Sequence, residues 1–444
     1  MVKTAVKTDQ KDKFVTQFAD FKEKQNGTAS DYISTLRSKA INHFQKLGFP
    51  TTKVERWKYT SLKPVLEVDF KSAYLYPETI NLSDSDIEDP LKDEAAAKLV
   101  FVNGRFADGL SDTSALAENG ITLMPLSQAL KTQNELVEQY FGRWAKVDEE
   151  ALTALNTAFA TEGVYLNVPK NTILEKPLHF IFVSDGRDDS YICHPRNLFL
   201  CGESSAVKVV ESHQALGDKP VFTNLVNEVK VEANGQFEHY RVQSGLRDHF
   251  HVSNTYVNEE KDSQVKTHVT TFDGRLVRNG LFVNVNGQNC DSSFEGLYVL
   301  ENNTHVDNHT FVEHSKEQSQ SNQLYKGVLS DESVGVFDGE IYVHKKAQQT
   351  NAFQLNQNVL LDDTATAHAK PQLEIFADDV KCSHGATTGT IDEEAIFYLQ
   401  SRGINEKQAR AMIMYAFANE VLERISIDSL RETLAGRLND ILTR

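Results

Sequence analysis

Apolar and polar positions along the chain fall into three regimes. Up to about residue 160 the apolar residues recur mostly at helical spacing. Phe14, Phe18 and Phe21 form one stripe, and Ile33, Leu36, Ala40 and Phe44 form another. Gly48 stands where the second helix should end. Core packing is the ordinary role of such aromatic side chains. Leu99-Val-Phe-Val102 breaks the helical pattern. With Asn103-Gly104 and Arg105-Phe106 it reads as a strand entering a hairpin turn. Residues 61–97 are irregular and acidic. Helical spacing returns over 126–160, through Leu126, Leu130, Leu136, Val137 and Phe141.

From Gly163 to about His384 the period becomes two. Short β-rich runs include Val164–Val168, Leu178–Val183, Val207–Val210, Glu228–Val231, Leu281–Val285 and Glu340–His344. Turn dipeptides punctuate them at Asn234-Gly235, Asp273-Gly274, Asn279-Gly280, Asn286-Gly287 and Asp338-Gly339. No helix is expected across this stretch. A sandwich, a barrel or a β-helix would each fit. A weak repeat favours the β-helix. Leu281 and Leu297 are 16 residues apart, as are Cys290 and Val306, while Leu324 and Ile341 are 17 apart. A rung cannot bury its apolar face alone, so stacked rungs share one continuous core and need caps at both ends.

The last regime is helical again. Thr390 and Glu393 have capping-box spacing, Gly403 closes that helix, and Asn405 with Gln408 suggests the next cap. Ala409, Met412, Ile413, Ala416, Phe417, Val421 and Ile425 form an apolar stripe, followed by Leu430, Leu434, Leu438, Ile441 and Leu442. These helices need a surface to cover, either the end of the β-helix or a partner protein. The pattern divides the chain into residues 1–162, mainly helical with a short strand pair, a β core over 163–388, and a helical segment over 389–444.

At 444 residues the chain can bury a large core. A net charge of −17, from 46 basic and 63 acidic residues, argues against nucleic acid and anionic membranes as partners. No apolar run reaches the roughly 20 residues that span a bilayer. The stretch beginning at Met1 lacks an apolar signal core, so a cytoplasmic location is expected. There is no phosphate-binding G-x-x-x-x-G-K-[ST] loop and no G-x-G-x-x-G turn, and any ATP dependence should come from a partner.

Candidate chemistry concentrates in Cys382-x-His384. Val380, Cys382 and His384 share one strand face, with Lys381 and Ser383 on the other. A thiolate and a neutral imidazole suit zinc or iron, and Asp378 and Asp379 could orient the imidazole. Two ligands do not complete a metal site, so a buried cysteine beside a structural histidine is the plain alternative. Cys193, Cys201 and Cys290 form no C-x-x-C pair, and Cys290 reads as inert packing. His249, His251, His305, His309 and His314 read as structural. The pairs Asp362-Asp363 and Asp378-Asp379 raise the idea of a polysaccharide-cleaving β-helix enzyme. Adjacent strand residues point to opposite faces, however, so these pairs fit turns better.

Several segments together resemble one family. Lys381-Cys-Ser-His-Gly-Ala-Thr387 and Ile391-Asp-Glu-Glu-Ala-Ile-Phe-Tyr-Leu-Gln-Ser-Arg-Gly-Ile404 are similar to the C-terminal signature of the SufB/SufD scaffold subunits of the SUF iron–sulfur assembly system. The Pro50–Thr60 motif, Asn156–Lys170 and His194-Pro-Arg-Asn-Leu198 add to the resemblance over nearly the whole chain. Gly385 stands where SufB usually has an acidic residue, and the long N-terminal extension common in SufB is absent. The SufD branch is therefore favoured, with a SufB-like paralogue as the alternative. The resemblance implies a right-handed parallel β-helix core flanked by N- and C-terminal helical domains. It implies a non-catalytic scaffold that pairs with SufB and binds the ATPase SufC around the C-terminal helices. It also implies a transient iron–sulfur cluster, or iron, held with SufB at an interface that contains Cys382 and His384. A purely structural brace is the competing role. Stoichiometry, the iron and electron source, flavin binding and homodimer formation stay open.

Overall fold

The computed structural model describes residues 10–24, 30–76, 80–91, 94–116 and 120–443. The expectation for residues 1–9 lies outside this set. The period-two segments form two parallel sheets, and successive strands of the chain alternate between them in a solenoid of about eight turns. One sheet runs from Thr366–Ile375 through Val334–Val343, His305–His314, Leu276–Val285, Phe250–Glu259, Phe222–Val231 and Arg196–Cys201 to Val164–Val168. The other runs from Val380–Thr390 through Thr350–Leu360, Gln320–Leu329, Asp291–Leu300, Gln264–Thr271, Gln236–Gln243 and Ala206–Gly217 to Leu178–Gly186. The protein is mainly β, with helices before and after the solenoid.

The structural repeat is nearly twice the spacing visible in the sequence. Leu276 pairs with His305 and His305 with Val334, a step of 29 residues. Leu281 and Leu297 lie on consecutive strands of one rung, in different sheets. Consecutive strands begin at Leu276, Asp291 and His305, so the 16-residue spacing only approximates the step between strands within a rung. Two expected turns are corrected as well. Asn279-Gly280 and Asp338-Gly339 lie inside strands Leu276–Val285 and Val334–Val343. Crowding explains these glycines. A Cβ on Gly280 would sit 2.4 Å from Asn254 Oδ1, and one on Gly339 would sit 2.3 Å from Gln354 Nε2.

The solenoid interior is apolar along one corner, where Val207, Val229, Val257, Val283, Phe237 and Phe294 pack together. Its centre is polar. Glu211 accepts hydrogen bonds from His213 Nε2 (2.7 Å), Asn227 Nδ2 (2.8 Å), Arg241 Nε (2.9 Å) and His239 Nε2 (3.0 Å). Arg241 reaches across to Ser253 and Thr255 in the opposite sheet. Burial opposes its charge, but Arg241 and the two imidazoles hold the Glu211 carboxyl well below its ordinary range. The node thus ties the sheets together with its acceptors and donors paired.

Helices cover the outer faces. Helices Gln10–Lys24, Asp31–Leu47 and Ala151–Phe159 pack Phe14, Phe18, Phe44 and Phe159 with Phe222, Phe250 and Leu276 of the first sheet. Gly48 ends the second helix as expected, at φ +65° with its N–H on the Phe44 carbonyl. The 126–160 stretch breaks into three short helices, Leu126–Thr132, Asn134–Tyr140 and Ala151–Phe159. The hairpin forms at Ala97–Val102 and Arg105–Phe106, with positive φ at Asn103 and Gly104. Its first strand also pairs with Leu178–Gly186 and so closes one end of the second sheet.

The C-terminal helices Glu393–Ser401, Glu406–Leu422 and Asp428–Thr443 do not cap the solenoid end. They lie along the outer face of the second sheet, against Val210, Tyr240, Leu297, Val299, Leu324 and Val328. The first of them is capped by Asp392, which accepts from Glu394 N and Ala395 N, because Thr390 belongs to the last strand. Asn405 caps the second helix as its spacing implied. The buried stripe of that helix is Ala409, Ala411, Met414, Ala418, Val421 and Leu422, while Met412 is exposed. The helix is apolar around much of its circumference, so periodicity alone misplaces the face.

The segments that carry the family resemblance are structural nodes. Arg196 forms a fully buried ion pair with Glu228 and donates to Asn156 Oδ1 and Thr157 Oγ1. Glu228 also accepts from the backbone N–H groups of Gly142, Trp144 and Ala145. Trp57 is buried under Arg278, whose guanidinium lies 4.3 Å from the ring and pairs with Asp307. Thr60 donates to Asp307, and Tyr59 stacks on His368 at 4.3 Å. The Pro50–Thr60 motif is thus an aromatic clamp onto the first sheet.

Two outcomes follow for stability. Glu228→Ala leaves Arg196 charged and buried, so urea unfolding should show a loss of about 3–5 kcal/mol. Glu259 is buried in the solenoid among Ser263 and Ser292, and burial raises its pKa to about 8. The folded chain therefore holds a proton that the unfolded chain has released above the ordinary carboxylate range. Stability should fall by up to ~1.4 kcal/mol per pH unit as pH rises toward 8, and level off above it. Glu259→Gln should flatten that slope, and an unchanged slope would place the titration elsewhere.

Candidate functional site

The ladder that builds the solenoid also places Cys382 and His384. Strand Val380–Thr390 pairs in parallel with Thr350–Leu360, so Cys382 sits opposite Ala352 and His384 opposite Gln354. Thr350, Ala352, Gln354, Asn356 and Asn358 are the buried, inward-facing residues of that neighbour. Cys382 and His384 therefore continue the inward column, on one face as the period of two implied. The strand is longer than its glycines suggested. It runs through Gly385 and Gly389 to Thr390.

This strand and Thr366–Ile375 are the last members of their sheets. Each has a ladder neighbour on one side only, and the column bearing His384 is covered by no further rung. Cys382 is half-buried against the cluster of Ile341, Val343, Ala347, Ala352 and Ala377. Burial pushes its thiol above the ordinary range, and contact with the Ala352 backbone opposes that only in part. It is held as a thiol, and becoming a metal ligand requires loss of the proton. His384 is exposed and makes no hydrogen bond or ion pair with any described residue. Neither Asp378 nor Asp379 contacts it. Asp379 instead joins the turn before the strand, its N–H donating to Gln348 Oε1 (2.9 Å). The expected carboxylate partner of the imidazole is therefore missing among the described residues. No group of three His, Cys, Asp or Glu side chains there is placed to hold a metal ion.

Beneath His384 the interior is polar, which the sequence reading did not identify. Gln354 is buried with both amide atoms lacking hydrogen-bond partners. Below it Gln323 accepts from Thr310 Oγ1 (2.7 Å) through Oε1 and leaves Nε2 without a partner. His309, 3.6 Å from Asp338, lies on the other face of its strand, against Phe282. Buried amides usually find a partner. The unmet ones concentrate under the open rung, where a partner or ligand can reach the column. Their signal in the sequence was glutamine at inward positions of two consecutive second-sheet strands, legible only once the register was known.

The remaining candidates are structural. His249 Nδ1 accepts from Val221 N, His251 lies 4.5 Å edge-on to His213, His305 meets Thr60 Oγ1, and His314 meets Ser321 Oγ. The Cys290 thiol donates to the Glu260 carbonyl, and burial raises it to about 11. Asp362 accepts from Asp331 N in a turn, as expected of that pair. Glu393–Ser401 and Glu406–Leu422 expose Phe397, Tyr398 and Met412, Phe397 at 73%.

Comparison with known proteins is consistent with the geometry. Residues 182–417 match the SUF system FeS cluster assembly SufBD core domain, and residues 8–180 match the SufBD protein N-terminal region. An iron–sulfur cluster assembly SufBD family protein of Synechocystis is 31% identical over 94% of this chain and 92% of its own length. The iron–sulfur cluster assembly protein SufD of Escherichia coli is 31% identical over 92% of this chain and 94% of its own. SufD of Bacillus subtilis is 27% identical over 94% of this chain and 95% of its own. The chain, with its two-sheet solenoid and the Cys382-x-His384 rung, belongs to the SufBD family of iron–sulfur cluster assembly proteins.

Proposed function

We propose that this chain is a SufD-type, non-catalytic scaffold that pairs with SufB through its terminal rung and binds the ATPase SufC through its C-terminal helices. In this reading the rung contributes His384, with Cys382 beside it, to a site shared with SufB. Iron or a nascent cluster is the cargo held there. The observation that carries the reading is the open rung itself. Its two edge strands have ladder capacity to spare, and its column ends in an exposed imidazole without a partner among the described residues. A sheet edge is a ready template for another chain. An incomplete ligand pair at that edge fits a site completed by a second subunit. The half-buried Cys382 thiol suits a supporting ligand, and SufB would supply the principal thiolate.

The exposed Phe397, Tyr398 and Met412 support docking of SufC on the helices. The cytoplasm is the compartment this reading implies. The competing reading, a brace that couples SufC to SufB without touching metal, is favoured by the same open edge but gives His384 no role.

Co-purification with SufB and SufC, followed by anaerobic cluster reconstitution and absorption spectroscopy, separates the two. His384→Ala should leave stability within about 0.5 kcal/mol, because the side chain is exposed and unpartnered. It should preserve the complex and abolish most of the cluster absorption, and Cys382→Ala should reduce that absorption less. An intact complex with full absorption for His384→Ala assigns the brace role. Phe397→Asp should release SufC from a pull-down while SufB is retained. Undiminished SufC would move that interface off the helices.

A further inference from the structure

A cavity of ≈ 250 Å³ lies where the N-terminal helices meet the solenoid. Helix Asp31–Leu47, the Gly104 hairpin, helix Leu126–Thr132 and the segment after Phe159 all contribute to its wall. Its charges are unbalanced. Arg37, Arg105 and Lys131 face a single carboxylate, Glu162. None of the three cations forms an ion pair among the described residues.

Arg37 is only 6% exposed. Its Nη2 donates to the Ala160 carbonyl (2.6 Å), and its guanidinium lies 5.5 Å from the Phe21 ring. Burial lowers its pKa to about 10 with no carboxylate opposing the shift, so it stays charged at neutral pH. A buried cation without a counter-charge is costly to the fold. Arg105 donates to the Tyr74 carbonyl (3.2 Å), and its Nε is buried without a partner. His194 lines the same cavity, and burial lowers it to about 3, so the ring is neutral. Its Nδ1 lies 3.2 Å from Asn224 Nδ2, and its Nε2 is buried without a partner. Burial raises the Glu162 pKa, while Ser127 and Arg105 oppose that shift.

We propose that this cavity is a binding site for a phosphoryl group, carried as free phosphate or as a small phosphate monoester, held between Arg37, Arg105 and Lys131. Three cations against Glu162 leave a charge that one dianion neutralises. The cations arrive from three separate elements. A tetrahedral dianion can accept donors from several directions, whereas a planar carboxylate is met in its plane by one guanidinium fork. The orphaned Arg105 Nε and His194 Nε2 mark the same wall as short of partners. A wider groove near Tyr59 also holds arginines, Arg247, Arg275 and Arg437, but Asp248, Asp273 and Glu301 balance them. A bound anion would join the helical region to the solenoid, and its binding free energy would add to the stability of that junction. The proposal stands apart from the terminal rung and does not depend on it.

The test is titration calorimetry and thermal unfolding of the full chain at constant ionic strength. The probes are inorganic phosphate, glycerol 3-phosphate and succinate. Saturable binding of phosphate or the monoester, with a rise in Tm, is expected, and succinate should bind more weakly than either. The tighter of the two phosphate probes identifies the source of the group. Lys131→Gln, at an exposed position, should keep the unliganded Tm and weaken binding about tenfold. Arg37→Lys keeps the charge but loses the fork, and should also weaken binding. If that variant does not fold, Lys131→Gln still carries the test. The proposal is overturned if neither phosphate probe saturates, if succinate binds as well, or if Lys131→Gln binds like the wild type.

Discussion

The parallel, in-register ladder is the constraint on which the rest depends. Each strand of the solenoid satisfies its backbone through the strands one rung before and one rung after it. Interior rungs meet that demand from both sides. At the N-terminal end the demand is closed off. Ala97–Phe106 turns back as a hairpin, and Thr122–Pro125 pairs antiparallel with Val164–Val168. At the other end Thr366–Ile375 and Val380–Thr390 stop with one edge each unmatched. The asymmetry gives the molecule a closed end and an open one. The candidate ligands Cys382 and His384 sit at the open one.

The same ladder decides what lies inside. In-register stacking places like positions above one another, so a polar residue in one rung needs an answer from its own rung, an adjacent one or the facing sheet. Around Glu211 the answer is complete, with Arg241, His213, His239 and Asn227 all directed at one carboxylate. Under the last rung it is incomplete, since Gln354 and Gln323 keep unmatched amide atoms. A satisfied polar centre fixes the pairing of the two sheets. An unsatisfied one beside an open edge is a place where a second chain can supply what is missing.

The helices follow from the sheets they cover. The N-terminal helices bury their phenylalanines on the first sheet, with Trp57 and Arg278 as a clamp. The C-terminal helices lie along the second sheet and leave the terminal rung bare. The junction of the N-terminal helices with the solenoid traps Arg37 with no counter-ion among the described residues. The protein thus carries two incomplete polar sites of different kinds, one at the sheet edge and one inside the helix–solenoid seam.

Much of this was legible along the chain. Period-two runs, the positive-φ turn at Asn103-Gly104, the end of a helix at Gly48 and the shared face of Cys382 and His384 depend on neighbouring residues only, and sequence carries such information directly. The motifs of the resemblance were equally local. Tertiary structure decided what depends on registers between distant segments. The full rung was hidden because its two strands share the same period of two, so the spacing along the chain approximates the step between them and not the rung. Gly280 and Gly339 looked like turns because the side chains that crowd them, Asn254 on the neighbouring strand and Gln354 in the facing sheet, are brought near only by folding. The exposed face of Glu406–Leu422 and the unmatched amides under His384 were set by what packs against each residue. That is a property of the assembled sheets, which the order of residues specifies only through folding.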